Sequence, residues 1–197
     1  MTEWEKAQKG YLYDANYDKE IVEARTRCAD LCYEFNNLRP SDIEKQLELL
    51  KKILGKMEGT PVITAPFYCD YGINTSVGRN FYTNHNVTIL DCTKVTFGDN
   101  VFIAPNCVFS TAGHAIDSEQ RGRGLEIALP ITVGDNVWIG ANVTVLPGVT
   151  IGSNTIIGAG SVVNKDIPEG VIAVGNPCKV MRKITEEDKK KYPIFEG

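Results

Sequence analysis

The chain has 197 residues, 43% of them hydrophobic, and a formal net charge of −4 at neutral pH. That length buries a core within one domain, or one domain with a small appendage. The acidic balance gives no global attraction to nucleic acid or to an anionic membrane. The opening residues MTEWEKAQKG lack the apolar run of a secretory signal, and no stretch reaches the ~20 apolar residues of a membrane span. A soluble, cytoplasmic protein is therefore expected. Six cysteines without paired spacing and only two histidines imply no metal site; buried free thiols in a reducing compartment fit better.

The first sixty or so residues read as helix. Ile21, Ala24, Cys28, Leu31, Cys32 and Phe35 follow the spacing that lines one helical face, and Pro40 closes that segment. SDIE at 41–44 has the form of a capping box, with Ser41 and Glu44 satisfying each other's free amides. Ile43, Leu47, Leu50, Leu54 and Met57 then predict a second apolar stripe.

After Pro61 the period changes. Ala65, Tyr71, Val77, Thr83 and Ile89 stand six apart; after a two-residue slip Phe97, Ile103 and Phe109 resume. Val133, Ile139, Val145, Ile151, Ile157 and Val163 continue in register with Phe97. Neither a helix nor a simple strand repeats every six residues. A triangular coil does: each side is a short strand with one inward side chain, and stacked coils form three parallel sheets around a dry axis. Roughly 120 residues at about 18 per coil predict six or seven coils. The spacing does not set the hand. The chain divides into a helical segment at 1–58, a solenoid at 59–182 and a tail at 183–197. The beat fails over STAGHAIDSEQRGRGLE, so a loop spanning about 110–130 and carrying His114 leaves the scaffold.

The ordered set GYLYDA, YCDYG, NFYTNHNVTILD, GDNVFIAPN, TAGHAID, GDNVWIGANVTVLPGVTIG, IGAGSVVNKDIP and GNPCKV resembles the hexapeptide-repeat acetyltransferases, and among them the maltose and galactoside O-acetyltransferases. The resemblance covers nearly the whole chain. It implies a mainly β fold, a left-handed parallel β-helix behind an N-terminal helical segment, and a homotrimer with active sites between subunits. It also implies acetyl-CoA as co-substrate and a sugar hydroxyl as acceptor, with an amine or xenobiotic acceptor on the same fold as the alternative. Antibiotic-modifying relatives lack this helical front. A zinc-dependent carbonic anhydrase on a similar solenoid needs three histidines, more than the chain holds.

By the same resemblance His114 is the catalytic residue. Neutral imidazole suits removal of a hydroxyl proton as the bond to the acetyl carbon forms. Glu126 is the favoured orienting partner, with Asp117, Glu119 or a backbone carbonyl as alternatives. Asp14, Asp70, Tyr82 and Asn84 match acceptor-contacting positions. Trp138, Ala141, Ala159, Gly160, Asn164, Lys165, Lys179 and Arg182 match the acetyl-CoA site, the last two as cations for a nucleotide phosphate. Asp70 and Cys92 depart from the galactoside type, which has serine and aspartate there. His85 stands where the family is usually apolar or aromatic, and a packing or rim role is expected.

Overall fold

A computed structural model describes residues 1–195. Helix α1 (Glu3–Gln8) opens with a capping box formed by Thr2 and Glu5. Helix α2 spans Lys19–Asn36 and buries Ile21, Ala24, Cys28, Cys32 and Phe35. Helix α3 (Ile43–Ile53) starts one residue later than the SDIE motif predicts. Asp42 occupies its N-cap, without a side-chain hydrogen bond, so the Ser41 capping box does not form. The predicted second stripe is displaced as well. Leu49, Leu50 and Ile53 are the buried residues of α3, Ile43 is exposed, and Met57 lies on a strand. The helix stops at Ile53 because Lys56–Met57 pairs in parallel with Ser76–Val77 as the first side of the solenoid.

The solenoid has about six coils whose sides stack into three sheets. Met57, Val77, Phe97, Val133 and Ile151 form one inward column. Ile63, Thr83, Ile103, Ile139, Ile157 and Ala173 form the second. Cys69, Ile89, Phe109, Val145 and Val163 form the third. The inward residues of the first coil are therefore Met57, Ile63 and Cys69, and not Ala65 and Tyr71. Ala65 is half-buried, while Tyr71 packs in a separate cluster against the N-terminal residues. The two-residue slip occurs twice, before Val77 and before Phe97, because the corner after the third side is longer in the first two coils. Two apolar residues in the first corners imitated the beat.

Seven further corners turn on asparagine, and those after Val145 and Ile157 on Gly148 and Gly160. Asn80, Asn100, Asn136 and Asn154 share one edge, and Asn86, Asn106 and Asn142 another, all with positive φ. Asparagine tolerates this region by bonding locally. Here the side-chain amides of Asn80, Asn86, Asn100 and Asn136 also donate to the asparagine of the next coil, as from Asn80 to Asn100 at 2.9 Å and from Asn100 to Asn136 at 2.9 Å.

Both ends of the axis are covered. At the first coil Asn36 of α2 donates to the Phe67 carbonyl and accepts from its amide, satisfying the sheet edge. At the last, Lys179–Lys183 returns antiparallel to Val171–Val174. No helix among the described residues is long and apolar enough to cross a membrane.

Candidate active site

The interrupted stretch is an antiparallel hairpin. Ala112–His114 pairs with Leu125–Ala128, and Ser118–Gly122, called α4, forms a helical turn at the tip. Arg121 fastens that tip by donating to the carbonyls of Ala115 and Ile116. At its base, Leu129 N donates to the Thr111 carbonyl and the Thr111 hydroxyl donates to Leu90. Tyr13–Asp14 adds a third strand to this hairpin, with Tyr13 opposite Glu126. The helical front thus contributes directly to the sheet that carries His114.

His114 and Glu126 are cross-strand partners, so their side chains project from the same face. His114 Nδ1 lies 3.7 Å from Glu126 Oε1, with the imidazole 63% exposed and the carboxylate 12%. Nε2 is left for a ligand. His114 also lines a cleft of about 550 Å³ with Leu12, Ile116, Asp117, Gln120 and Ile127. Asp117 is occupied as the N-cap of α4 and Glu119 lies in its first turn, so of the loop carboxylates it is Glu126 that stands beside the imidazole.

Asp70 and Cys92 meet behind this sheet. The Cys92 thiol donates to Asp70 Oδ2 at 3.6 Å. Burial pushes the Asp70 carboxyl above its ordinary range, opposed by the Cys92 hydrogen bond and the Arg25 charge. Burial also pushes the Cys92 thiol up to about 12, which removes it as a nucleophile near neutral pH. Asp14 Oδ1 accepts from the amides of Asn16 and Tyr17 at 3.0 and 2.8 Å, so part of its acceptor capacity holds a turn.

Asp91, next to Cys92, is fully buried and braces the long corner by accepting from Tyr71 N and Thr75 Oγ1. Burial raises its pKa to about 6 despite those bonds. A raised folded-state value favours the protonated form, so the associated stability is present below about pH 4 and lost as pH rises through about 6. Denaturant unfolding should therefore show a loss of about 2–3 kcal/mol between pH 4 and 7, and Asp91→Asn should flatten that slope. An equal slope in the variant would contradict the role of this group.

The other matched positions lie elsewhere. Tyr82 is on the seven-stranded sheet that also holds Trp138 and the Lys179–Lys183 strand. Asn84 follows it, its Oδ1 accepting from His85 N. No hydrogen bond or ion pair among the described residues joins Tyr82 or Asn84 to His114. Asn84 and His85 belong to the corner column that continues upward through Ala141, Ala159 and Gly160, as the bonds Asn106 N to His85 O, Asn142 N to Pro105 O and Gly160 N to Ala141 O trace. His85 is exposed, and its Nδ1 contacts the Ala65 carbonyl. Trp138 is half-exposed on the same sheet. Asn164 and Lys165 sit past the far end of Val162–Val163, at the next corner. Arg182 is paired in a two-pronged contact with Asp188 at 2.6 and 2.8 Å, so its guanidinium is not an unpartnered phosphate ligand. Lys179 and Lys165 make no ion pair among the described residues.

The motif reading missed Tyr13, Arg25 and Asp91. GYLYDA directs attention to Asp14, whereas the buried neighbour on the opposite face of the strand is Tyr13. That alternation is visible only once the segment is known to be a strand.

A six-residue solenoid bearing a projecting hairpin, with histidine beside carboxylate and small residues along one edge, is the design of a hexapeptide-repeat transferase. The maltose acetyltransferase hexapeptide capping motif matches residues 6–59, and the bacterial transferase hexapeptide matches residues 130–165. The galactoside O-acetyltransferase of Escherichia coli K12 is 46% identical over 95% of this chain and 92% of its own length. A crystal structure of a maltose O-acetyltransferase from Clostridium difficile 630 superposes with a TM-score of 0.92, at 46% identity over 94% of this chain and 99% of that one. A galactoside acetyltransferase in complex with coenzyme A gives 0.93, at 44% identity over 100% and 97%. The chain belongs to the maltose/galactoside O-acetyltransferase family: it is an acetyltransferase built on a left-handed β-helix.

Proposed function

We propose that the protein transfers an acetyl group from acetyl-CoA directly to a hydroxyl of a small sugar, with His114 as general base. The observation that carries this reading is the imidazole held beside Glu126 at the mouth of a cleft, with Nε2 free. Acetyl-CoA supplies the activated thioester. His114 Nε2 removes the proton of the attacking hydroxyl as the new C–O bond forms, and returns it to the departing thiolate when the C–S bond breaks. Glu126 orients the ring and stabilises the imidazolium between those two events. Positioning of two bound substrates supplies much of the rest.

The residues along the solenoid edge fit a narrow pantetheine arm. A Cβ placed on Gly160 would meet nothing within 4 Å, so Ala141, Ala159 and Gly160 leave an open shelf beside the exposed Trp138. Asn164, Lys165, Lys179 and, in second place because of Asp188, Arg182 would hold the polar end. Asp14 and Asp70 on one side, and Tyr82 and Asn84 on another, would contact the acceptor. These two groups lie on different sheets of one chain, which supports a homotrimer in which a neighbouring copy closes the cleft and excludes water. Six free cysteines, all buried, suit a cytoplasmic location.

Release of free CoA thiol, measured against a panel of sugars and amines, should show turnover with at least one sugar, and light scattering should give a trimer. Turnover confined to amines, or full activity in a monomer, would overturn this reading.

A further inference from the structure

The hairpin sheet places three side chains in a row. Tyr13 is opposite Glu126, and Glu126 is opposite His114, so all three share one face. Tyr13 is 1% exposed, and its hydroxyl reaches Glu126 Oε2 at 3.4 Å while Oε1 faces His114 at 3.7 Å. Among the described residues the phenol's one geometric hydrogen bond is to that carboxylate, with the Cys92 thiol nearby. A phenol has one proton to give, and a carboxylate is a stronger acceptor than a thiol. The Cys92 proton goes in turn to Asp70. Glu126 thereby receives a donor from within the protein at one oxygen while the other faces His114, and Asp70 receives its own from Cys92.

We propose that Tyr13 is a positioning residue: its buried phenol pins one oxygen of Glu126 so that the other stays aimed at His114. Burial drives the phenol's pKa upward, so it remains a donor across the working pH range. Distances of 3.4 and 3.7 Å are those of an open site, and such contacts tighten when substrate binds. Without the phenol, Glu126 keeps its place on the strand but loses the contact that selects its rotamer. The inference rests on His114 acting as the base.

The test is a double-mutant cycle on kcat in the full-length protein, with Tyr13→Phe, Glu126→Gln and the pair, alongside His114→Ala. Phenylalanine keeps the ring, so Tm should stay within about 3 °C of the parent, since one net hydrogen bond is modest. The expected result is a fall in kcat of about 10- to 100-fold for Tyr13→Phe, unchanged KM for acetyl-CoA, and little further loss in the pair than in Glu126→Gln alone. Independent, multiplying losses would overturn the positioning role, as would full kcat in Tyr13→Phe. A crystal structure of Tyr13→Phe with the Glu126 carboxylate unmoved would do the same, whatever the kinetics. Those outcomes, with His114→Ala inactive, leave the base assignment standing. Retained turnover in His114→Ala removes the base assignment and this inference together.

Discussion

Replacing His114 by alanine should lower kcat/KM for acetyl transfer by about 10²- to 10⁴-fold, the range for loss of a general base. That is roughly 3–5 kcal/mol of transition-state stabilisation. The imidazole is 63% exposed and makes no contact with the solenoid axis, so stability should barely change. The KM for acetyl-CoA should stay within about threefold, because the proposed donor shelf lies on another sheet and uniform binding is untouched. Free thiol release under saturating acetyl-CoA measures this directly. Turnover within a factor of about three of the parent would mean that the proton leaves by another route.

The second large effect concerns the scaffold. Phe109→Ala should cost about 3–5 kcal/mol in urea unfolding. Phe109 is fully buried and meets Phe97 edge-on at 5.0 Å. Its strand pairs with Ile89 below and Val145 above. Each coil of a solenoid is stabilised chiefly by its neighbours, so an emptied layer at mid-height weakens the contacts of both halves at once. A loss of that size is a large share of the ~5–15 kcal/mol typical of a folded domain. Ser110, where the hairpin departs, follows directly, so a collapsed layer would also disturb the platform that holds His114. A loss below about 1 kcal/mol would contradict a close-packed axis.

Much of this architecture is legible in the residues because it is local. An aliphatic every six positions requires a side of fixed length, and the beat from Val77 onward maps onto inward columns without exception. The asparagines at 80, 86, 100, 106, 136, 142 and 154 are an equally plain signal, since each marks a corner with positive φ. The interruption around His114 likewise announces a departure from the scaffold. The misreadings also have local causes. Ala65 and Tyr71 kept the period while sitting in corners, Tyr71 in a long one, and SDIE satisfied a capping pattern one residue out of place.

What the sequence by itself determined, then, is the three-sided coil, its register beyond Val77 and the presence of a histidine-bearing excursion, because period and corner chemistry are properties of adjacent residues. The tertiary structure decided what the excursion became. Tyr13 and Glu126 are 113 positions apart, and no spacing rule links them. Only when α1 and α2 dock on the first coils does Tyr13–Asp14 reach the hairpin and complete its sheet. The environment of His114 therefore depends on long-range strand pairing, and strand pairing is fixed by burial of whole faces, a property of the assembled fold and not of any short segment.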